Sequence, residues 1–267
     1  MTKNADCVAV IVGAGSKYTN IGKSSEEVSP ILRWGLGGAI SQRFAKECTV
    51  VLMGRRVDDL QSLVAEIEQQ GGRAVALSCD VTDDAAVNAA FKKARDVGEI
   101  EILIYNAAPP YPQGATFANM PYPHEVTPQQ LQQGFDVGVT GCLRCVNAVI
   151  EPMLNAARGT ILLTGATQAL RGAAKFASMS PVKFALRSLG QSLYQAYAPQ
   201  GIHVAHVVVD GPIDSPGLRE QLERQDASFL DPGDLADAYV MLANQPRGCW
   251  SYELQLTPHN SSLGMRL

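Results

Sequence analysis

Short β-branched runs alternate with longer helical patterns along nearly the whole chain, and this rhythm limits the possible folds more than any other feature. The runs fall at residues 8–12, 50–53, 74–79, 100–105, 160–164, 203–209 and 253–256. Helical patterns occupy 37–46, 57–70, 85–97, 128–154, 181–198 and 232–243. Parallel strands need crossover connections, and helices supply them, so the alternation predicts an α/β, doubly wound parallel sheet covered on both faces. With 267 residues, 46% of them hydrophobic and 18% charged, the chain can bury one such core, and a single domain over 1–267 is expected. The longest loops are 17–34, 108–126 and 211–230. Two of them follow the carboxyl ends of the fourth and sixth strands, where ligands bind in this architecture.

The formal charge of −4 leaves no basic excess. Nucleic acid and anionic membrane surfaces are therefore not expected partners, and a small molecule is. The polar start has no apolar signal core behind it, and no apolar run approaches the roughly 20 residues needed to span a bilayer. A cytoplasmic protein is expected. Six cysteines, at positions 7, 48, 79, 142, 145 and 249, are scattered through apolar runs where free thiols pack as small hydrophobes, so no disulfide framework is expected. Cys142 and Cys145 have redox-pair spacing, but inside a helical pattern rather than at a helix start, which favours packing. The histidines at 124, 203, 206 and 259 lack ligand-like partners, and no metal site is expected. Nothing recognisable as a hydrolase triad surrounds Gly165-Ala166-Thr167.

The first strand runs into Gly13-Ala14-Gly15-Ser16, and the next helix opens with Gly35-Leu36-Gly37. Joined, they form a glycine turn that brings backbone N–H groups and a helix N-terminus to a pyrophosphate. Residues 17–34 split it. In this insert Ser24 and Glu27 resemble a capping box. Three readings of the insert stand: a lid carrying Lys17, Lys23 and Arg33 to phosphate, a surface loop that tolerates insertion, or retained untranslated sequence. An insert seated in the turn itself would shut a cofactor out. After the second strand the chain reads Met53-Gly54-Arg55-Arg56, with no carboxylate where an NAD enzyme places one against the ribose 2′-hydroxyl. Two guanidiniums suit a 2′-phosphate, so NADP(H) is expected over NAD(H).

With Asp80-Val81 after the third strand, Asn106-Ala107-Ala108 after the fourth, Lys183, and Val209-Asp210-Gly211-Pro212-Ile213-Asp214-Ser215, the chain resembles the short-chain dehydrogenase/reductase family over nearly its whole length. The resemblance implies that Asp80 and Val81 hold the adenine and that Asn106 and Ala107 back the cofactor. It further implies that Ile213 and Ser215 meet the nicotinamide carboxamide and that Lys183 lies near the ribose hydroxyls. Gly13, Ser16, Gly35, Gly37, Arg55 and Arg56 complete the implied cofactor set.

The family's other working residues are missing. Met179 stands four places before Lys183 where the tyrosine belongs, Gly138 where the asparagine belongs, and Ala166 where the serine belongs. A thioether donates no proton. A one-residue shift would put Thr167 at the serine position, and Tyr111, Tyr122 and His124 lie in the loop after the fourth strand as possible substitutes. The longer tyrosine spacing of the enoyl reductases places Phe176 at their tyrosine, so that match fails too. The stretches 161–172, 203–211 and 245–250 resemble an atypical, uncharacterised branch that often has phenylalanine for the tyrosine.

These residues lead to an NADP(H)-binding oxidoreductase with atypical acid catalysis, passing hydride to or from a small organic substrate. The alternatives are a catalytically inactive nucleotide-binding or scaffold protein, or a non-redox enzyme on the same fold. The resemblance also implies a homo-oligomer, dimer or tetramer, built through the long fourth and fifth helices.

Overall fold

Six apolar residues in succession, Cys7–Val12, form a first strand that is buried along its whole length. Such a strand must be covered on both faces. The computed structural model describes residues 7–15, 30–215, 218 and 229–259. In it the strands are β1 (Cys7–Val12), β2 (Thr49–Gly54), β3 (Arg73–Ser78), β4 (Glu99–Tyr105), β5 (Gly159–Thr164), β6 (Ile202–Val209) and β7 (Glu253–Leu256). They form one seven-stranded sheet in the order β3-β2-β1-β4-β5-β6-β7, every pairing parallel. The doubly wound fold expected from the alternation is the one observed.

The helices are α1 (Pro30–Arg33), α2 (Gly35–Phe44), α3 (Val57–Gln69), α4 (Asp84–Val97), α5 (Pro128–Phe135), α6 (Gly141–Ala156), α7 (Ser180–Tyr197) and α8 (Pro232–Ala243). Period-two alternation sends neighbouring residues of each strand to opposite faces. Ala9 and Ile11 therefore join α2, α3 and α8 in one core, while Val8, Val10 and Val12 join α4, α6 and α7 in the other. Strand order reverses between β1 and β4, which opens a crevice at their carboxyl ends.

The long fourth helical pattern is interrupted by a π turn, Asp136–Thr140, between α5 and α6. A π turn frees a backbone acceptor from the regular ladder. Here the hydroxyl of Tyr105, a fully buried side chain, donates to the Val137 carbonyl. By length and composition Pro128–Ala156 would reach across a bilayer, with a mean hydropathy of 1.3, contrary to the expectation that no run would. Its apolar stripe, Cys142, Cys145, Val146, Val149 and Met153, is packed into the sheet core instead.

The cysteine expectation needs one correction. Cys7 and Cys48 form a disulfide, Cα to Cα 5.0 Å. They sit at the amino ends of neighbouring parallel strands, a juxtaposition that sequence spacing conceals. Cys142 and Cys145 are free and buried, and burial pushes the Cys142 thiol up to about 12, the opposite of what a redox pair needs.

Candidate functional site

A cleft of about 1300 Å³ opens along the carboxyl ends of β1 to β6. Its floor is the glycine turn. Gly13 has φ +84°, and a Cβ there would lie 2.6 Å from the Ala107 nitrogen. Gly37 lets α2 approach β1 so closely that a Cβ would lie 2.4 Å from the Gly13 carbonyl oxygen. Gly35, at φ +62°, opens α2 in a conformation that disfavours other residues. Asn106 clamps the turn from the next loop, its Nδ2 donating to the Gly13 carbonyl at 2.9 Å while its own N–H reaches Val12 O at 2.9 Å. Gly13, Gly35, Gly37, Asn106 and Ala107 all line the cleft.

Ser16 lies outside the described residues, and so do Lys17, Lys23, Ser24 and Glu27, so the lid reading of the insert rests on residues with no structural description. Arg33, the remaining basic candidate, is described and does not line the cleft. It pairs with Glu66 of α3, which also accepts the Trp34 indole N–H at 2.8 Å. The carboxylate of α3 thus draws this guanidinium away from the crevice.

Beyond β2 and β3 the wall carries Arg55, Arg56, Asp80 and Val81. Arg56 is engaged by Asp59 at 2.9 Å, one turn along α3. Arg55 is exposed and faces Asp80. The Asp80 carboxyl is held below its ordinary range first by the backbone and side-chain hydrogen bonds of Thr82, with Arg55 adding to the effect.

At the β5–β6 end stands Lys183, buried on α7, with Nζ donating to the Thr164 carbonyl at 2.8 Å. Burial lowers its pKa from 10.5 to about 8. Met179, one helical turn before it, also faces the cleft. Gly138 has no room for the side chain it replaces, because a Cβ would lie 2.3 Å from Val182 Cγ1. Neighbouring side chains have closed over that position. Ala166 lines the cleft without a hydroxyl, and Thr167 lines it with one, but Oγ1 donates to Asp210 at 2.6 Å. Tyr111 lines the cleft as well. Tyr122 and His124 do not; both are exposed and stack on each other at 6.1 Å. Ile213 and Ser215 face the cleft from the loop after β6, and Ser215 Oγ is buried without a hydrogen-bond partner among the described residues.

Asp210 entered the sequence reading only as part of the stretch 209–215, with no role of its own. Its carboxylate is 5% exposed and takes hydrogen bonds from Thr167 and from Gln255 Nε2, at 2.6 and 2.7 Å, with Arg171 3.7 Å away. The available signal was the place of Asp210 in the stretch 209–215 that carries the family resemblance. Behind Lys183, His206 Nδ1 donates to the Glu253 carboxylate at 3.0 Å, and Arg187 grips the same carboxylate with two bonds of 2.7 and 2.6 Å. Burial holds His206 below its ordinary pKa, and this set ties α7 to β7. No cluster of metal-ligating groups occurs among the described residues.

Comparison with known proteins agrees with this geometry. The model of the family described as short chain dehydrogenase matches residues 33–226. An uncharacterised oxidoreductase of Staphylococcus saprophyticus is 26% identical over 249 residues, covering 92% of this chain and 94% of its own length. The cis-4-hydroxycyclohexanecarboxylate dehydrogenase of Sinomonas cyclohexanicum is 25% identical, covering 90% of each. Among solved structures, a short-chain dehydrogenase from Rhodopseudomonas palustris superposes with a TM-score of 0.74 at 28% identity, over 95% of this chain and 99% of that one. An alcohol dehydrogenase of Thermococcus sibiricus, complexed with 5-hydroxy-NADP, shares the fold with a TM-score of 0.77 at 20% identity, over 96% and 98%.

Proposed function

Because the chain belongs to the short chain dehydrogenase family, we propose that it is an NADP(H)-dependent oxidoreductase whose acid catalysis is altered by the loss of the tyrosine. It transfers hydride to or from a small organic molecule. The observation that carries this reading is convergence: the glycine turn, Arg55, Asp80, Asn106, Lys183 and Ser215, far apart in sequence, all line one cleft at the switch point of the sheet. The residues suit a phosphorylated dinucleotide. A Cβ on Gly15 would touch nothing nearer than the Leu60 side chain at 3.7 Å, which leaves the turn open to close approach. Arg55 offers a guanidinium where a 2′-phosphate would lie, and Ser215 Oγ is a buried hydroxyl in want of a partner.

When bound, the cofactor supplies or accepts the hydride. Gly13 makes the turn, its own N–H donating to the Met53 carbonyl, and the backbone of Gly35 and Gly37 at the N-terminus of α2, together with Ser16, would take the pyrophosphate. Arg55, with Arg56 beside it, takes the 2′-phosphate. Asp80 and Val81 would hold the adenine, Asn106 and Ala107 would back the cofactor, Lys183 would lie near the ribose hydroxyls, and Ile213 with Ser215 would meet the carboxamide. Thr167 and Tyr111 are the candidate hydroxyls on the substrate side, where Thr116 also lines the cleft. Neither restores the lost acid in the place Met179 occupies, so an acceptor that needs no protonation on oxygen is favoured. Leu143 on α6 and Phe184 on α7, 39% and 42% exposed, support self-association through these helices.

The test is NADPH oxidation followed at 340 nm with two probes, the N-methyl-3,4-dihydroisoquinolinium cation and benzaldehyde. A positioned general acid is worth about 10²–10⁴ in rate, so the iminium should be reduced at least about 10²-fold faster. Reduction of neither probe, or of both equally well, would overturn the proposal.

A further inference from the structure

The cleft divides by charge. Its lining carboxylates among the described residues, Asp59 and Asp80, belong to the end beyond β2 and β3. In the other half, built from the loops after β4, β5 and β6 and the start of α7, the charged lining side chains among the described residues are Arg171 and Lys183. Lys183 is buried, gives one N–H to the Thr164 carbonyl, and is assigned to the ribose hydroxyls. Arg171, with its side chain 32% exposed, is the cation that a ligand there would meet.

Its counter-charge, Asp210, pairs with it loosely from outside the cleft lining. Asp210 is not part of the lining, its side chain is 5% exposed, and its two oxygens already accept Thr167 Oγ1 and Gln255 Nε2. Arg171 stands 3.7 Å from it, close enough to be oriented but too far for a hydrogen bond. The guanidinium fork therefore keeps N–H donors for something else. The same half of the lining carries an apolar group, with Phe117 and Phe176 meeting edge to face at 6.0 Å and Met179, Val137 and Ile213 beside them in the cleft, next to the polar Thr116 and Gln168. A charge-assisted, two-pronged hydrogen bond gains strength and direction in such surroundings.

We propose that the substrate side of the cleft takes an apolar, ring-sized molecule bearing a carboxylate, and that Arg171 anchors that carboxylate. The inference rests on the proposed oxidoreductase reading only for calling this half the substrate side; the anion site itself follows from the charge layout.

The experiment is calorimetric titration of the full-length protein, with and without NADP⁺, using benzoate and cyclohexanecarboxylate against their neutral amides. The acids should bind and the amides should bind at least about tenfold more weakly, given the added strength of a charged pair. Arg171→Gln should remove that preference, and Arg171→Lys, which keeps charge but not the planar fork, should restore only part of it. Circular dichroism of both variants checks that they fold. Equal binding of acids and amides, or an unchanged preference in Arg171→Gln, would overturn the proposal. Acid binding through Arg171 in a protein that takes no NADP⁺ would leave this site standing and remove the redox reading. Binding of NADP⁺ without acid selectivity would do the reverse.

Discussion

Lys183→Met should stabilise the fold at neutral pH. Lys183 is 4% exposed, and burial lowers its pKa from 10.5 to about 8, so the folded protein holds its proton less tightly than the unfolded chain does. Such a group costs stability in full below the folded value, and the cost disappears as pH rises through the unfolded one. At about 1.4 kcal/mol per pKa unit, the shift makes the charged form about 3 kcal/mol worse than a neutral one at pH 7, falling to about 1 kcal/mol at pH 10. Methionine fills the same volume without the charge but loses the hydrogen bond to the Thr164 carbonyl, which trims the gain to roughly 2 kcal/mol. Urea denaturation of both proteins at pH 7 and pH 10, without cofactor, measures the difference. The variant should be more stable at pH 7, and its advantage should shrink by about 2 kcal/mol at pH 10. A variant less stable than the parent at pH 7, or a difference independent of pH, would refute the reasoning. A fold that tolerates so costly an ammonium is one in which the ammonium has work to do.

Three further outcomes are expected. Gly37→Ala should destabilise by about 1–3 kcal/mol in urea, because the new Cβ meets Gly13 and Ala14 backbone atoms that cannot swing aside; an unchanged midpoint would show that α2 can slide off β1. Met179→Tyr should introduce benzaldehyde reduction with NADPH, and adding Ala166→Ser should raise it further; silence in both would mean that the closed-over Gly138 position also matters. Cys48→Ser should cost about 2–4 kcal/mol, since the disulfide joins positions 41 residues apart, and dithiothreitol should lower the parent's melting temperature but not the variant's.

The sheet was legible because its inner strands are buried on both faces and read as nearly continuous apolar runs, as in Cys7–Val12 and, with His203 and His206 as exceptions, Ile202–Val209. The glycine turn was legible for a similar reason: Gly13 and Gly37 sit where backbone meets backbone, so residue identity reports geometry directly. Arg33 misled because a basic residue near a phosphate site carries no sign that a carboxylate on α3 will claim it. The pairing of Cys7 with Cys48 was hidden because strand adjacency, not spacing, brings them together. Asp210 could be given no role from sequence because its partners come from two distant segments, Thr167 with Arg171 after β5 and Gln255 on β7, that only the folded sheet gathers. Nor could the sequence tell that Val182 fills the space beside Gly138, a packing fact that turns an absent asparagine into a closed site.

The measurement closest to the central claim is titration of the purified protein with NADPH and with NADH, followed by nicotinamide fluorescence. A surviving seat for a phosphorylated dinucleotide predicts saturable enhancement with NADPH, at an affinity at least about tenfold tighter than with NADH, as one charge-assisted contact at Arg55 would supply. Absence of binding by either nucleotide, or tighter binding of NADH, would contradict it.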